Sequence, residues 1–217
     1  PTFGGRPGVM RLPLPEPMLA GTRFVLRPWE SGDAASLAVA WSDPEMRRWL
    51  PVPEPGDLSA AAAWIAGEAD RRHAGQALDL VAVEPVDDLA GGLGADPMGR
   101  SGNGSAAKGQ AGADLLGEVG LSAFDPERGA AMIGWWTAEP YRRRGIATEI
   151  VRLLTTWALG PQLGLKILVA EVEPANPGSL AVAMAAGYQE VGRRDDGRLV
   201  MAAVAATGAV IGSGRRV

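Results

Sequence analysis

No cysteine occurs in the 217 residues. That excludes disulfides, thiolate metal sites and a covalent acyl-cysteine intermediate. The single histidine, His73, rules out a histidine-rich metal site. A Ser-His-Asp triad would have to be built on His73 itself, which reads as a surface residue at a helix end. Lys108 and Lys166 are the two lysines among 21 basic residues, and with abundant Ala and Gly this bias fits a GC-rich bacterial coding sequence. Long apolar runs are also missing: "AAAAWIA" and "LVMAAVAA" fall far short of the roughly 20 residues a membrane span needs. Residues 1–18 are rich in Pro and Gly and lack the apolar stretch of a signal peptide. A soluble, cytoplasmic protein without a membrane partner is expected. Net charge is −4, opposite to the basic surface that direct nucleic-acid binding needs. Any anion site must therefore be local.

What is present reads as one α/β domain over 19–205, preceded by an extended arm (1–18) and followed by a tail (206–217). "RFVLRPW" and "ALDLVAVEP" read as strands, the second with alternating Leu78, Leu80 and Ala82. Between them, "ESGDAASLAVAWSDPEMRRWL" predicts a helix capped by Ser31 or Asp33 and broken at Pro44. "DLSAAAAWIAGEADRR" predicts a second helix, capped by Asp57 or Ser59. The segment 87–113 is dominated by Gly, Ala and small polar residues without an apolar period, and predicts a flexible insertion. Without arm, insertion and tail, roughly 160 residues remain, enough for one core. "DLLGEVGLSAF" and "AAMIGWWTA" predict an antiparallel hairpin across the "DPERG" turn. "GIATEIVRLLTTWALG" predicts a helix with Ile150, Leu153, Leu154 and Trp157 on one face, ended by Gly160-Pro161. "LKILVAEV" reads as a buried strand. In "NPGSLAVAMAAG", Asn176 fits an N-cap, Pro177 the first helical position and Gly187 the residue past the helix end. "YQEVGRR" and "RLVMAAVAA" complete the chain as strands joined by "DDG". Trp41, Trp49 and Trp64 read as core or groove wall.

The stretch "YRRRGIAT" stands between a strand and a helix. A helix N-terminus presents free backbone N–H groups and partial positive charge, so it attracts anions. Gly145 and Ala147 keep side-chain bulk away, and Arg142, Arg143 and Arg144 add charge-assisted hydrogen bonds. The pattern points to a pyrophosphate-type anion. No G-x-x-x-x-G-K-[ST] sequence is present, which argues against a P-loop nucleotidase.

Arg142-x-x-Gly145-x-Ala147 resembles the acyl-CoA signature of the GNAT acyltransferase superfamily. The likeness continues through "ILVAEVEPANPGSLAVAMAAGYQEVG", with Asn176-x-x-Ser179 and Gly187-Tyr188 at the family's spacing. "FVLRPWESGDAASL" and "LLGEVGL" resemble the ribosomal-protein N-terminal acetyltransferase branch. The resemblance implies a mixed, mostly antiparallel central sheet with flanking helices, whose two central parallel strands, "AAMIGWWT" and "LKILVAEV", splay apart around CoA. It implies pantetheine amides on backbone near Trp136 and Thr137, the diphosphate on Arg142, Arg143, Arg144, Gly145, Ile146 and Ala147, and further cofactor contacts at Asn176 and Ser179. Acetyl-CoA or another acyl-CoA such as succinyl-CoA is the implied co-substrate, with no metal.

The implied chemistry is direct attack of a neutral amine on the thioester in a ternary complex. An α-amine costs roughly 1 kcal/mol to deprotonate at pH 7, a lysine side chain roughly 4–5 kcal/mol. Glu118 and Glu171 are the candidate bases, and Ser179 and Tyr188 the candidate proton donors to the leaving thiolate. The acceptor is a protein N-terminus or a small-molecule amine such as an antibiotic. A CoA-binding sensor without catalysis is the alternative, and a homo-oligomer is compatible with the sequence.

Overall fold

The computed structural model describes residues 11–85 and 114–205. The expected insertion at 87–113 and the tail at 206–217 lie outside the described residues, as do residues 1–10 of the arm. The described end of the arm docks on the core: Leu12 is fully buried, and its N–H donates to the Arg72 carbonyl at 3.1 Å.

The period-two alternation of Leu78, Leu80 and Ala82 does what it predicts: all three are fully buried on one face of a strand. The strands are β1 (Leu19–Ala20), β2 (Val25–Pro28), β3 (Ala77–Val83), β4 (Leu115–Asp125), β5 (Ala130–Thr137), β6 (Ile167–Val172), β7 (Gln189–Arg193) and β8 (Leu199–Val204). They form one sheet in the order β1-β2-β3-β4-β5-β6-β8-β7. Every neighbouring pair is antiparallel except β5 with β6. The sheet is therefore mixed and mostly antiparallel, with helices on both faces.

Helices α1 (Ala34–Trp41), α2 (Pro44–Trp49), α3 (Leu58–Ala66) and α4 (Glu68–His73) precede β3. They cover one face with a core that includes Trp29, Leu37, Trp41, Ile65, Val81 and Leu115. Trp64 meets Trp29 and Trp41 edge-on, at ring separations of 5.5 and 6.3 Å. On the other face, α5 (Ile146–Leu159) and α6 (Pro177–Ala185) pack over Leu80, Leu121, Ile133 and Leu168 through Ile150, Leu154 and Ala183.

Two sequence expectations change. The helix from Asp57 is two helices, because the chain re-starts at Gly67 between α3 and α4; Asp57 caps the first by accepting from the Ala60 N–H at 2.9 Å. Neither Ser31 nor Asp33 caps α1 with its side chain. Asp33 is instead buried against Arg27, with contacts of 2.7 and 2.8 Å, so a buried ion pair outcompetes the cap. The break at Pro44 occurs as expected, with Asp43 capping α2.

Candidate active site at a split in the sheet

The parallel pair carries the site. β5 and β6 are in register only at Ala130–Ile167, Ala131–Leu168 and Met132–Val169. Beyond those pairs the strands separate, and the β6-facing edge of β5 from Ile133 to Thr137 has no strand partner. The backbone groups on such an edge need partners. The side-chain oxygen of Thr137 is also buried without a hydrogen bond.

Each splayed strand leads directly into a helix, so the N-termini of α5 and α6 follow the carboxyl ends of β5 and β6, at the open end of the split. The first is bare. Gly145 occupies the N-cap of α5 with φ of 80° and no side-chain cap, and a Cβ there would meet nothing within 4 Å. Arg143 also takes a positive φ, 62°. Both residues and Arg144 are exposed, while Ile146 behind them is buried in the core. The turn is braced from the β1–β2 connection. The Thr22 N–H donates to Glu149 at 2.7 Å, and Arg23 donates to the Arg144 carbonyl at 3.2 Å.

Arg142 is arranged differently from its two neighbours. Its guanidinium donates to Asp43, the residue that caps α2, and to the Thr137 carbonyl at 3.1 Å. It ties the turn to α2 and to the end of β5; among the described residues Arg143 and Arg144 make no ion pair, and the Arg144 guanidinium lies 5.5 Å from the centre of the Tyr141 ring. Nothing in the sequence pairs Asp43 with a residue 99 positions away.

Four candidate proton-transfer residues fall into two groups. Glu118 and Trp136 are directly opposed on β4 and β5, and the indole N–H donates to the Glu118 carboxylate. Glu118 is half-buried. Burial, and next the charge of Asp79, push its carboxyl up to about 8; the Trp136 hydrogen bond and Arg71 oppose that shift. Glu171 lies on the same face across the split. Its carboxylate sits beneath Arg194, whose Nε donates at 2.6 Å, and Arg198, at 2.5 Å. Two guanidinium groups therefore satisfy it.

Ser179 is half-buried in the first turn of α6. Asn176 caps that helix, accepting from the Ser179 N–H at 3.0 Å, and among the described residues the Ser179 hydroxyl has no hydrogen-bond partner. Tyr188 is drawn inward. Gly187, with φ of 97°, ends α6 in a Schellman turn: its N–H bonds the Met184 carbonyl and the Tyr188 N–H bonds the Ala183 carbonyl, both at 3.0 Å. The Tyr188 side chain, 2% exposed, then reaches Thr155, oxygen to oxygen at 2.7 Å. Burial raises its pKa to about 12.

Residues 23–189 match the family profile described as "Acetyltransferase (GNAT) domain". The chain belongs to the GNAT acetyltransferase family. It is accordingly an acyltransferase. It is 26% identical over 183 residues to an uncharacterized N-acetyltransferase, p20, of Bacillus licheniformis, covering 82% of this chain and 88% of that protein. Two solved structures share the fold. The ribosomal-protein-S5-alanine acetyltransferase of Vibrio fischeri superposes with a TM-score of 0.66 at 16% identity, over 87% of this chain and 96% of that one. RimJ of Mycobacterium smegmatis, in complex with CoA-disulfide, superposes with a TM-score of 0.63 at 19% identity, over 84% and 82%.

The residues at the split fit a GNAT cofactor. An uncapped helix N-terminus with two arginines suits a diphosphate. The unpaired edge of β5 suits the amides of a pantetheine arm, and the open space over Gly145 admits the ligand to the backbone. Among the described residues, no helix is long and apolar enough to cross a membrane, and no group of acidic or histidine side chains could hold a metal ion.

Asp79, beside Glu118, escaped the sequence reading. The available signal was a lone acid in the strand "ALDLVAV", on the face opposite Leu78 and Leu80.

Proposed function

We infer that the protein transfers an acetyl or similarly short acyl group from acyl-CoA to a primary amine, best matched by a protein N-terminus, by direct attack within a ternary complex. The co-substrate supplies an activated thioester carbonyl. The chain supplies the rest. Arg143, Arg144 and the first N–H groups of α5 bind the diphosphate, with Arg142 as a brace. The free edge of β5 at Trp136 and Thr137 orients the arm and offers an N–H to the carbonyl oxygen. Glu118 takes a proton from the incoming ammonium, and the Ser179 hydroxyl donates to the departing sulfur. The nitrogen–carbon bond forms as the carbon–sulfur bond breaks; the sulfur leaves as a thiol with the Ser179 proton, the nitrogen's second proton restores that hydroxyl, and Glu118 releases the first to solvent.

The observation that carries this reading is the half-buried Glu118 carboxylate against the Trp136 indole N–H, on the stretch of β5 beyond its last pairing with β6, where burial raises its pKa to about 8. A free α-amine has a pKa near 8, so proton transfer between the two is nearly balanced. Transfer from a lysine ammonium to the same carboxylate would be roughly 3 kcal/mol uphill. The likeness to a ribosomal-protein acetyltransferase supports the same choice of acceptor.

The test is thiol release from acetyl-CoA with three acceptors: peptides with a free N-terminus, N-blocked peptides with an internal lysine, and an aminoglycoside. Preference for the free N-terminus is expected. Preference for the aminoglycoside would replace this reading with small-molecule modification. Native mass spectrometry of the purified protein identifies the acyl group through the acyl-CoA that co-purifies.

A further inference from the structure

The face of the sheet that carries Glu118 contains a row without side chains. Asp79, Gly120 and Gly134 are aligned across β3, β4 and β5. A Cβ on Gly120 would lie 2.5 Å from an Asp79 carboxylate oxygen, so the carboxylate leans over Gly120 and occupies the space its side chain would take. Above Gly134 a Cβ would meet no atom of the described residues within 4 Å. Strands lie about 5 Å apart, which places the Asp79 carboxylate roughly one strand from that open space. Gly134 is two residues beyond Met132, where pairing with β6 ends. The row therefore runs from a carboxylate straight to the split. Glu118 and Trp136 border it on one side, Ser122 and Met132 on the other.

The charges around this row do not cancel. Arg71 lies 3.5 Å from Asp79 and is also engaged with the Trp64 carbonyl at 3.1 Å. One guanidinium thus faces two carboxylates, Asp79 and Glu118. Across the split, Glu171 and Asp196 are matched by Arg194 and Arg198. Once Glu118 is ionised, the β4 side carries a surplus of negative charge. A half-enclosed site with one uncompensated carboxylate favours a cation.

We propose that the Gly120–Gly134 row is the acceptor slot, that it admits a primary ammonium, and that Asp79 is the counter-ion that holds this ammonium beside Glu118. The proposal rests on the acyltransferase reading above and adds the path and charge of the acceptor. Asp79 determines which amines are captured. Glu118 alone receives the proton. Gly134 carries no side chain and the Asp79 carboxylate fills the space over Gly120, so the slot takes a primary ammonium and excludes a second carbon on nitrogen.

The test uses the full chain, acetyl-CoA, and a peptide amide beginning with a free alanine, compared with its N-methyl form. Gly134→Val projects a branched side chain into open space on a strand, so the fold is retained. It is expected to leave CoA affinity by calorimetry within about twofold while lowering kcat/KM for the peptide at least tenfold. Asp79→Asn is expected to raise the peptide KM about tenfold with a smaller change in kcat. It also shifts the acid limb of kcat/KM to lower pH. The groups facing Glu118 are Asp79 from β3, Arg71 from α4 and Trp136 from β5, and removing the one negative charge among them eases its ionisation. A merely structural role for Asp79 would not move that limb. Gly120→Ala, whose methyl displaces the Asp79 carboxylate, should reproduce the KM effect. An unchanged peptide KM in Gly134→Val, or loss of CoA affinity in that variant, overturns the slot. Equal use of the N-methyl peptide overturns the width. Loss of CoA binding by the unmodified protein would instead overturn the acyltransferase assignment.

Discussion

The two sides of the split between β5 and β6 are built on opposite plans. On the β6 side, polar groups are satisfied: Asn176 caps α6, two arginines hold Glu171, and the Tyr188 hydroxyl is bonded to Thr155. On the β5 side they are left open. α5 has no side-chain cap, Thr137 keeps a buried hydroxyl without a partner, and Glu118 meets an indole N–H but no direct cation. Folding alone would favour satisfying both sides equally. The open polar groups thus lie on β4, β5 and α5, the elements to which the proposed reading assigns cofactor binding and proton transfer, with β6 as a supporting wall. Ser179 is the exception, an unpaired hydroxyl on the satisfied side.

The harshest way to break this contrast is to fill the open helix end. Gly145→Glu sets a carboxylate where a diphosphate would bind, and imposes a side chain on a backbone with φ of 80°. CoA affinity should fall by about a hundredfold or more, read by calorimetry, while circular dichroism reports a retained fold. Affinity unchanged in the folded variant would remove the turn from the cofactor site.

Glu118→Gln comes next. It should lower kcat/KM by about 10²- to 10⁴-fold with CoA affinity preserved. In the unmodified enzyme kcat/KM should climb with pH and level off above about 8, because Glu118 must lose its proton before it can accept one. Stability should run the other way. The carboxyl holds its proton more tightly folded, at about 8, than unfolded, near 4.5. Its contribution is complete below about 4.5 and is lost as pH rises through 8. Between pH 5 and 8.5 the thermal midpoint of the wild type should therefore fall more than that of Glu118→Gln. Parallel curves would show that Glu118 titrates normally.

Local signals made much of this architecture legible. The spacing of Ile150, Leu153, Leu154 and Trp157 predicts the buried face of α5; three are buried and Leu153 is partly buried against the core. Asn176, Pro177 and Gly187 mark both ends of α6 because caps act within a few residues. The hairpin of β4 and β5 follows from two strand patterns and one turn. Long-range pairing was not legible. Tyr188 and Thr155 are 33 positions apart, so the sequence, which offers this tyrosine as a proton donor, does not show that its hydroxyl is bonded in the core. Arg142 reads as a phosphate ligand, and its pairing with Asp43 is invisible in the sequence. The alignment of Gly120 with Gly134 depends on strand register, which neither glycine announces alone.

Ser179→Ala and Tyr188→Phe test the exception. Loss of a hydroxyl that bonds the departing sulfur should lower kcat about ten- to a thousand-fold with little change in acyl-CoA affinity. Tyr188→Phe should keep kcat within about threefold and cost about 1 kcal/mol of stability through the lost bond to Thr155. Crippled turnover in Tyr188→Phe with normal turnover in Ser179→Ala would exchange their roles.

The smallest effect is expected at Glu171, which matches Glu118 in chemistry and in the face it occupies but not in its partners. Two guanidinium groups hold its carboxylate, so accepting a proton from an amine would require breaking both contacts first. Glu171→Gln should therefore leave kcat/KM within about threefold. It removes the charge that holds Arg194 and Arg198 together. Because both arginines are partly solvated, the loss should be about 1 kcal/mol, a fall of a few degrees in Tm. Half-molar salt screens the pair in the wild type and should narrow that gap. If Glu171→Gln instead abolishes turnover while Glu118→Gln preserves it, the proton passes on the β6 side, and the paired carboxylate rather than the isolated one is the base.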